Sequence, residues 1–159
     1  MKWVFSPIGT IRSPFEEIKG MPIQPAGAGQ FKGQVVVDKS VEAGLADIEG
    51  FSHIILIYVF HRSKGFSPMV KPFLDTQERG VFSTRAPRRP NPIGLSIVQL
   101  IKREGNILHI QGVDVLDQTP LLDIKPYAPA FDSVTDASVG WMTGKENNAG
   151  SARADERFK

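Results

Sequence analysis

Arg85-Ala86-Pro87-Arg88-Arg89-Pro90-Asn91-Pro92-Ile93-Gly94 is the densest chemical signal in the chain, with three arginines and three prolines in ten residues. Proline removes backbone donors and narrows conformational freedom, so the guanidinium forks are held out with less entropy to lose when they meet carboxylate or phosphate. The residues alone leave two readings open: anion recognition, or a solvated loop whose arginines pair with surface carboxylates. A second constellation runs from Asp114 to Tyr127, where Asp117-Gln118-Thr119-Pro120 carries turn chemistry ahead of Asp123-Ile124-Lys125-Pro126. Asp123 and Lys125 are two apart on a strand and share a face, which suits an ion pair as well as a site. A third signal is His61-Arg62, which ends the most hydrophobic segment abruptly with polar groups, as the mouth of a barrel would.

Other chemistries are disfavoured. The chain has no cysteine, so disulfides, thiolate metal sites and a cysteine nucleophile are excluded. His53 and His61 lie in one predicted strand, about 26 Å apart at 3.3 Å per residue, too far to share an ion without a bend, and no metal is expected. Gly27-Ala28-Gly29 is followed by Lys32 where a dinucleotide fingerprint needs glycine, and neither a P-loop nor a nucleophile elbow is present. An adenosine cofactor would have to bind outside a Rossmann turn.

The elements that must position these groups read as β. The 159 residues suit one domain, and 41% hydrophobic with 23% charged residues is ordinary globular composition. A net charge of +2 permits nucleic-acid binding without demanding it. Twelve prolines and 15 glycines leave few windows for helices. Strands are predicted over 4–13, 33–37, 51–60, 94–101, 107–113 and 121–124, with a hairpin turn over 102–106 and a loop over 20–29. One short helix is predicted over 41–48, with Ser40 as its cap. No apolar run is long enough to span a bilayer, and Pro7 and Gly9 interrupt the amino terminus before a leader can form, so an intracellular protein is expected. The whole predicts a single-domain antiparallel β-barrel over residues 1–141, followed by a polar tail over 142–159 that frays or docks weakly.

Taken together, Ile8-Gly9-Thr10-Ile11-Arg12-Ser13-Pro14, Phe60-His61-Arg62, Arg85 with Arg89-Pro90-Asn91-Pro92-Ile93-Gly94, Asp117-Gln118-Thr119-Pro120 and Asp123-Ile124-Lys125-Pro126-Tyr127 resemble the TsaA-like family, which includes the bacterial TrmO tRNA methyltransferases. The resemblance spans Trp3 to about Trp141. It implies a β-barrel, a cytoplasmic homodimer, S-adenosylmethionine as cofactor, and N6-methylation of threonylcarbamoyladenosine beside the tRNA anticodon. By motif position it puts cofactor contacts on Pro22, Ile23, Gln24, His61, Arg62, Arg85, Leu95, Asp117, Gln118, Thr119 and Pro120. Arg88, Arg89, Lys125 and Tyr127 would grip the anticodon loop by pairing phosphates and stacking a splayed base. The family pattern has glycine where this chain has Gln118 and, in many members, arginine where it has Ile23. Bacterial members also carry a C-terminal domain for which this length leaves no room. Two rival functions remain, a non-catalytic RNA-binding module and a methyltransferase with another acceptor. The motifs do not identify the group that takes the acceptor's proton.

Overall fold

Short β-branched and apolar runs between turn residues set the architecture of the computed structural model, which describes residues 1–158. Six strands form a closed antiparallel barrel: β1 (Gly9–Arg12), β2 (Lys32–Val37), β3 (His53–Val59), β6 (Ile93–Glu104), β7 (Ile107–Gln111) and β8 (Thr119–Pro126). Their order round the barrel is β1-β2-β7-β6-β3-β8, and β8 returns to pair with β1. Closure leaves no sheet edge to protect. Two short strands, β4 (Met69–Val70) and β5 (Arg79–Gly80), make a separate ribbon in the excursion between β3 and β6.

Inward-facing side chains fill the barrel: Ile11, Val35, Ile54, Leu56, Val98, Leu108, Ile110 and Leu121 are all buried. Each sits on the period-2 face that its strand dictates. The β3/β6 register pairs Leu56 with Ser96 and Tyr58 with Gly94. Gly94 has a steric reason to be glycine, since a Cβ there would run into the Tyr58 ring, which lies across it.

Several boundaries differ from expectation, each for a local reason. The opening strand starts only at Gly9, because Pro7 has no N–H to give a ladder. β6 runs on to Glu104, because the hairpin to β7 is a tight one through Gly105 (φ 61°) and Asn106. The helix expected over 41–48 is instead two 3-10 segments, Lys39–Leu45 and Ile48–Gly50, separated where Asp47 turns left-handed at φ 64°. Its cap position is Asp38 rather than Ser40. So short a run, with Gly44 inside it, gains too little to nucleate an α-helix. The one α-helical turn among the described residues is α1, Pro129–Asp132, started by Pro at its first turn.

The polar tail docks more firmly than its composition suggested. The Gly20 N–H donates to the Ala154 carbonyl and the Ala154 N–H to the Met21 carbonyl, both at 2.8 Å. Phe158 is buried against Val70, Val81 and Ala86 in a second small core, edge-on to Phe73 at 5.1 Å. Lys145 and Arg79 both pair with Asp75, whose carboxyl they hold well below the usual range. Phe158, the backbone hydrogen bonds to Ala154, the Lys145–Asp75 pair and the Arg157 Nη1 donation to the Pro72 carbonyl at 2.8 Å thus hold a segment that hydrophobicity alone would leave free.

Candidate functional site

Loops at one end of the barrel enclose a cavity of about 950 Å³, within the range of small-molecule sites. Five chain segments meet there: residues 18–26 after β1, the His61 turn after β3, residues 72–74 between β4 and β5, the 82–97 stretch that enters β6, and residues 114–119 leading into β8. Trp141 and, from the tail, Met142, Ala154 and Phe158 close one side.

Of the residues singled out from the sequence, Pro22, Ile23, Gln24, His61, Arg62, Arg85, Leu95 and Thr119 line this cavity, as does Arg89. Arg85 Nη1 donates to Gln24 Oε1 at 3.1 Å, tying the arginine loop to the proline-rich loop. Arg62 Nη1 donates to the Glu16 carbonyl at 2.7 Å. Thr119 Oγ1 donates to the Leu116 carbonyl at 2.7 Å and lies 3.4 Å from His61 Nδ1. Partial burial and then the neighbouring Arg62 charge lower the His61 pKa against the pull of the Val59 carbonyl, so the imidazole is neutral at pH 7.

The aspartate bend divides. Thr119 faces the cavity, whereas Asp117, Gln118 and Pro120 are not among its lining residues. Asp117 Oδ1 accepts from the Ser13 N–H at 3.0 Å and its own N–H donates to the Phe15 carbonyl at 2.7 Å, which ties the end of β1 to the bend. Burial raises the Asp117 pKa, but the Ser13 amide, then the side-chain and backbone donors of Gln118, outweigh it and keep the group ionised. Gln118 occupies a left-handed conformation at φ 60°, the backbone reason glycine suits this position.

The four residues assigned to RNA also separate. Arg89 Nη1 donates to the carbonyls of Val81 (3.1 Å) and Thr84 (2.9 Å) and its guanidinium lies 5.7 Å from the Phe82 ring centroid. Arg88 is half-buried, and its carbonyl accepts from the Ser67 N–H. Lys125 pairs with Asp123 at 2.8 Å. Tyr127 packs edge-on to His53, and the antiparallel register of β3 with β8 carries Lys125 and Tyr127 away from the Tyr58 end, where the cavity lies.

Sequence reasoning opened its second constellation on Asp114 without giving that residue a role, and missed Ser96 and Tyr58. Asp114 lines the cavity, and its Oδ1 accepts from Ser96 Oγ at 2.6 Å. Tyr58 Oη lies 3.0 Å from Ser96 Oγ. Burial pushes Asp114 up to about 6, against the Ser96 hydrogen bond, its own backbone amide and the Arg85 charge. Burial and the Asp114 charge drive the Tyr58 phenol far above its ordinary range. Inward alternation on β3 and β6 was the one available signal, since it turns Tyr58 and Ser96 to the barrel interior.

A closed antiparallel barrel with a loop-built cavity at one end, mostly apolar with a few convergent polar groups, defines a β-barrel protein with a small-ligand site and, among the described residues, no nucleotide-binding α/β sheet. The tRNA-methyltransferase O N-terminal domain family model matches residues 10–133, and the chain belongs to that family. It is 52% identical over 154 residues to a probable S-adenosyl-L-methionine-binding protein of Pyrococcus abyssi, covering 97% of this chain and 84% of that one. It is 36% identical over 147 residues to a tRNA (adenine(37)-N6)-methyltransferase of Escherichia coli, covering 86% of this chain and 63% of the relative. The crystal structure of TrmO from Pseudomonas aeruginosa superposes with a TM-score of 0.75 at 39% identity, over 89% of this chain and 63% of that one. The chain therefore spans most of the archaeal relative and under two thirds of either bacterial protein.

Proposed function

We propose that the chain transfers a methyl group from S-adenosylmethionine to N6 of threonylcarbamoyladenosine beside the anticodon of tRNA, in the cytoplasm. The observation that carries this reading is the convergence of Gln24, His61, Arg85, Asp114 and Thr119, drawn from four separated segments, on one cavity at the barrel mouth. A sulfonium is an activated leaving group, so the protein's work is to align the acceptor nitrogen with the methyl carbon and to remove a proton. The residues fit such a ligand. Ile93, Leu95 and the tail offer apolar walls for a base, Arg85 and Gln24 a fork and amide for a carboxylate, and Thr119 an acceptor for a hydroxyl group. Phe82, 75% exposed at the rim and backed by Arg89, supports stacking of a splayed anticodon base.

A homodimer belongs to the same reading. Ile93, Leu95, Ile97 and Ile101 form an exposed apolar stripe along the outer face of β6, and the first three border the cavity. A second copy laid on that stripe would remove it from water and complete the wall.

Calorimetry on the pure protein is expected to give micromolar S-adenosylmethionine affinity, about −8 kcal/mol, lost in Arg85→Ala. Methyl transfer is expected to tRNA carrying the threonylcarbamoyl group and not to the same tRNA lacking it. No binding at tenfold excess over a micromolar dissociation constant would overturn the cofactor assignment, and equal methylation of both tRNAs would overturn the acceptor.

A further inference from the structure

The hydrogen-bond chain at the base of the cavity has a fixed direction. An ionised Asp114 accepts only, so the Ser96 hydroxyl hydrogen must point at Oδ1, 2.6 Å away. The Ser96 oxygen is then the acceptor for Tyr58, whose O–H donates across 3.0 Å. Tyr58 and Ser96 are 4% and 1% exposed, so neither hydrogen has water as an alternative partner. They hold one carboxylate oxygen rigidly. Among the described residues no other side chain hydrogen-bonds Asp114, although it lines the cavity. Two buried hydroxyls aligned behind a single carboxylate that faces a ligand cavity are more than packing requires, since an apolar trio would fill the same space without the desolvation cost.

Resting on the methyl-transfer reading, we propose that Asp114 is the proton acceptor of the reaction, with Ser96 and Tyr58 as positioning residues that fix Oδ1 and leave Oδ2 for the substrate. The acceptor's N6 lone pair forms the new nitrogen–carbon bond as the carbon–sulfur bond breaks and leaves its electron pair on sulfur. The N6–H proton passes to Asp114, which becomes a neutral carboxyl and later releases the proton to solvent. Charge balances: one cation enters as sulfonium and one proton leaves. The charged and titratable groups acting on Asp114 are Arg85 from the arginine loop and Tyr58 from β3. Arg85 favours the carboxylate, and Tyr58 stays protonated throughout the working range. A base is most effective when its pKa lies near the operating pH, and Asp114 meets that condition at about 6.

The test pairs Asp114→Asn with Ser96→Ala. In single-turnover transfer at saturating cofactor, wild type is expected to show a rate that rises with pH and levels off above about 6. At that saturation Asp114→Asn is expected to transfer at least about 100-fold more slowly and to lose the inflection. Independently of activity, the Asp114 carboxyl carbon, followed by NMR in the ligand-free protein, should titrate at the same midpoint, and Ser96→Ala should move it upward by removing a donor to the charged form. Asp114→Asn transferring within threefold of wild type, or a Ser96→Ala midpoint that does not move, would overturn the proposal while leaving the methyltransferase reading intact. Should Asp114→Asn fail to fold, the Ser96→Ala titration and pH profile decide alone. Wild type that binds the cofactor but methylates no tRNA would overturn the reading itself, and this role with it.

Discussion

Along β3 the inward side chains are Ile54, Leu56 and Tyr58, and they belong to two different environments. Ile54 and Leu56 are fully buried in the barrel's apolar core. Tyr58, one step further, touches that core but spends its hydroxyl on Ser96 and through it on Asp114. The interior is apolar and repetitive, while the mouth concentrates the buried polar groups. Polar groups taken out of water weaken a fold unless every one is paired, so the mouth is where this molecule gives up stability for chemistry.

The largest expected effect breaks the interior side of that contrast. Leu56 is 0% exposed at the middle of β3, so Leu56→Ala removes several buried methylenes and leaves a cavity in a closed barrel that collapses poorly. A loss of about 2–5 kcal/mol is expected, read as a drop in the urea midpoint at unchanged slope. Because the groups involved are apolar, the loss should be the same at pH 5 and pH 8.

The same contrast explains what could be read from the sequence. The barrel was legible because short apolar, β-branched runs such as 33–37, 51–60 and 107–113 are separated by turn residues, and the structure then sets Val35 and Val37, Ile54 and Leu56, Leu108 and Ile110 on the inward face. The loops that build the mouth have no period. His61, Arg85 and Thr119 were legible as chemistry-bearing types beside turns and strand ends, and the structure gathers all three at the cavity. The role of Asp114 was not, because an aspartate five residues before Thr119 has no marked partner until Ser96, 18 residues away, is set beside it by the barrel. Phe158 was hidden for a similar reason: a lone aromatic in a polar tail gives no pattern, and its partners Val70, Val81 and Ala86 lie far back in the chain.

A second, smaller effect sharpens the polar side. In the unfolded chain Asp114 titrates near the ordinary 3.8, and in the folded protein near 6. Between those values the folded state keeps a proton that the unfolded state has lost, so stability falls as pH rises through this window and stays lower above it. The difference amounts to roughly 2–3 kcal/mol. Asp114→Asn, which can still accept from Ser96, is therefore expected to be more stable than wild type by about 2 kcal/mol at pH 8 and equal to it at about pH 3, below both values, measured by urea unfolding. A gain that is the same at both pH values would show that the carboxylate is not what weakens the mouth.

The smallest effect concerns backbone rather than charge. Gln118 sits at φ 60°, where a Cβ costs about 1–2 kcal/mol, and its Nε2 donates to Asp117 Oδ2 at 3.1 Å on an exposed surface. Gln118→Gly removes the strain but gives the unfolded chain more freedom, about 0.5–1 kcal/mol in the other direction, and loses one exposed hydrogen bond of little worth. A net gain near 0.5 kcal/mol is expected. Gln118→Ala keeps the strain and loses only the amide, so it should cost a similar small amount. If glycine stabilises and alanine does not, the left-handed backbone is a local weakness in the bend that carries Thr119 to the cavity. If both variants destabilise equally, the amide's hold on Asp117, and through Asp117 on Ser13, is what keeps that bend in place.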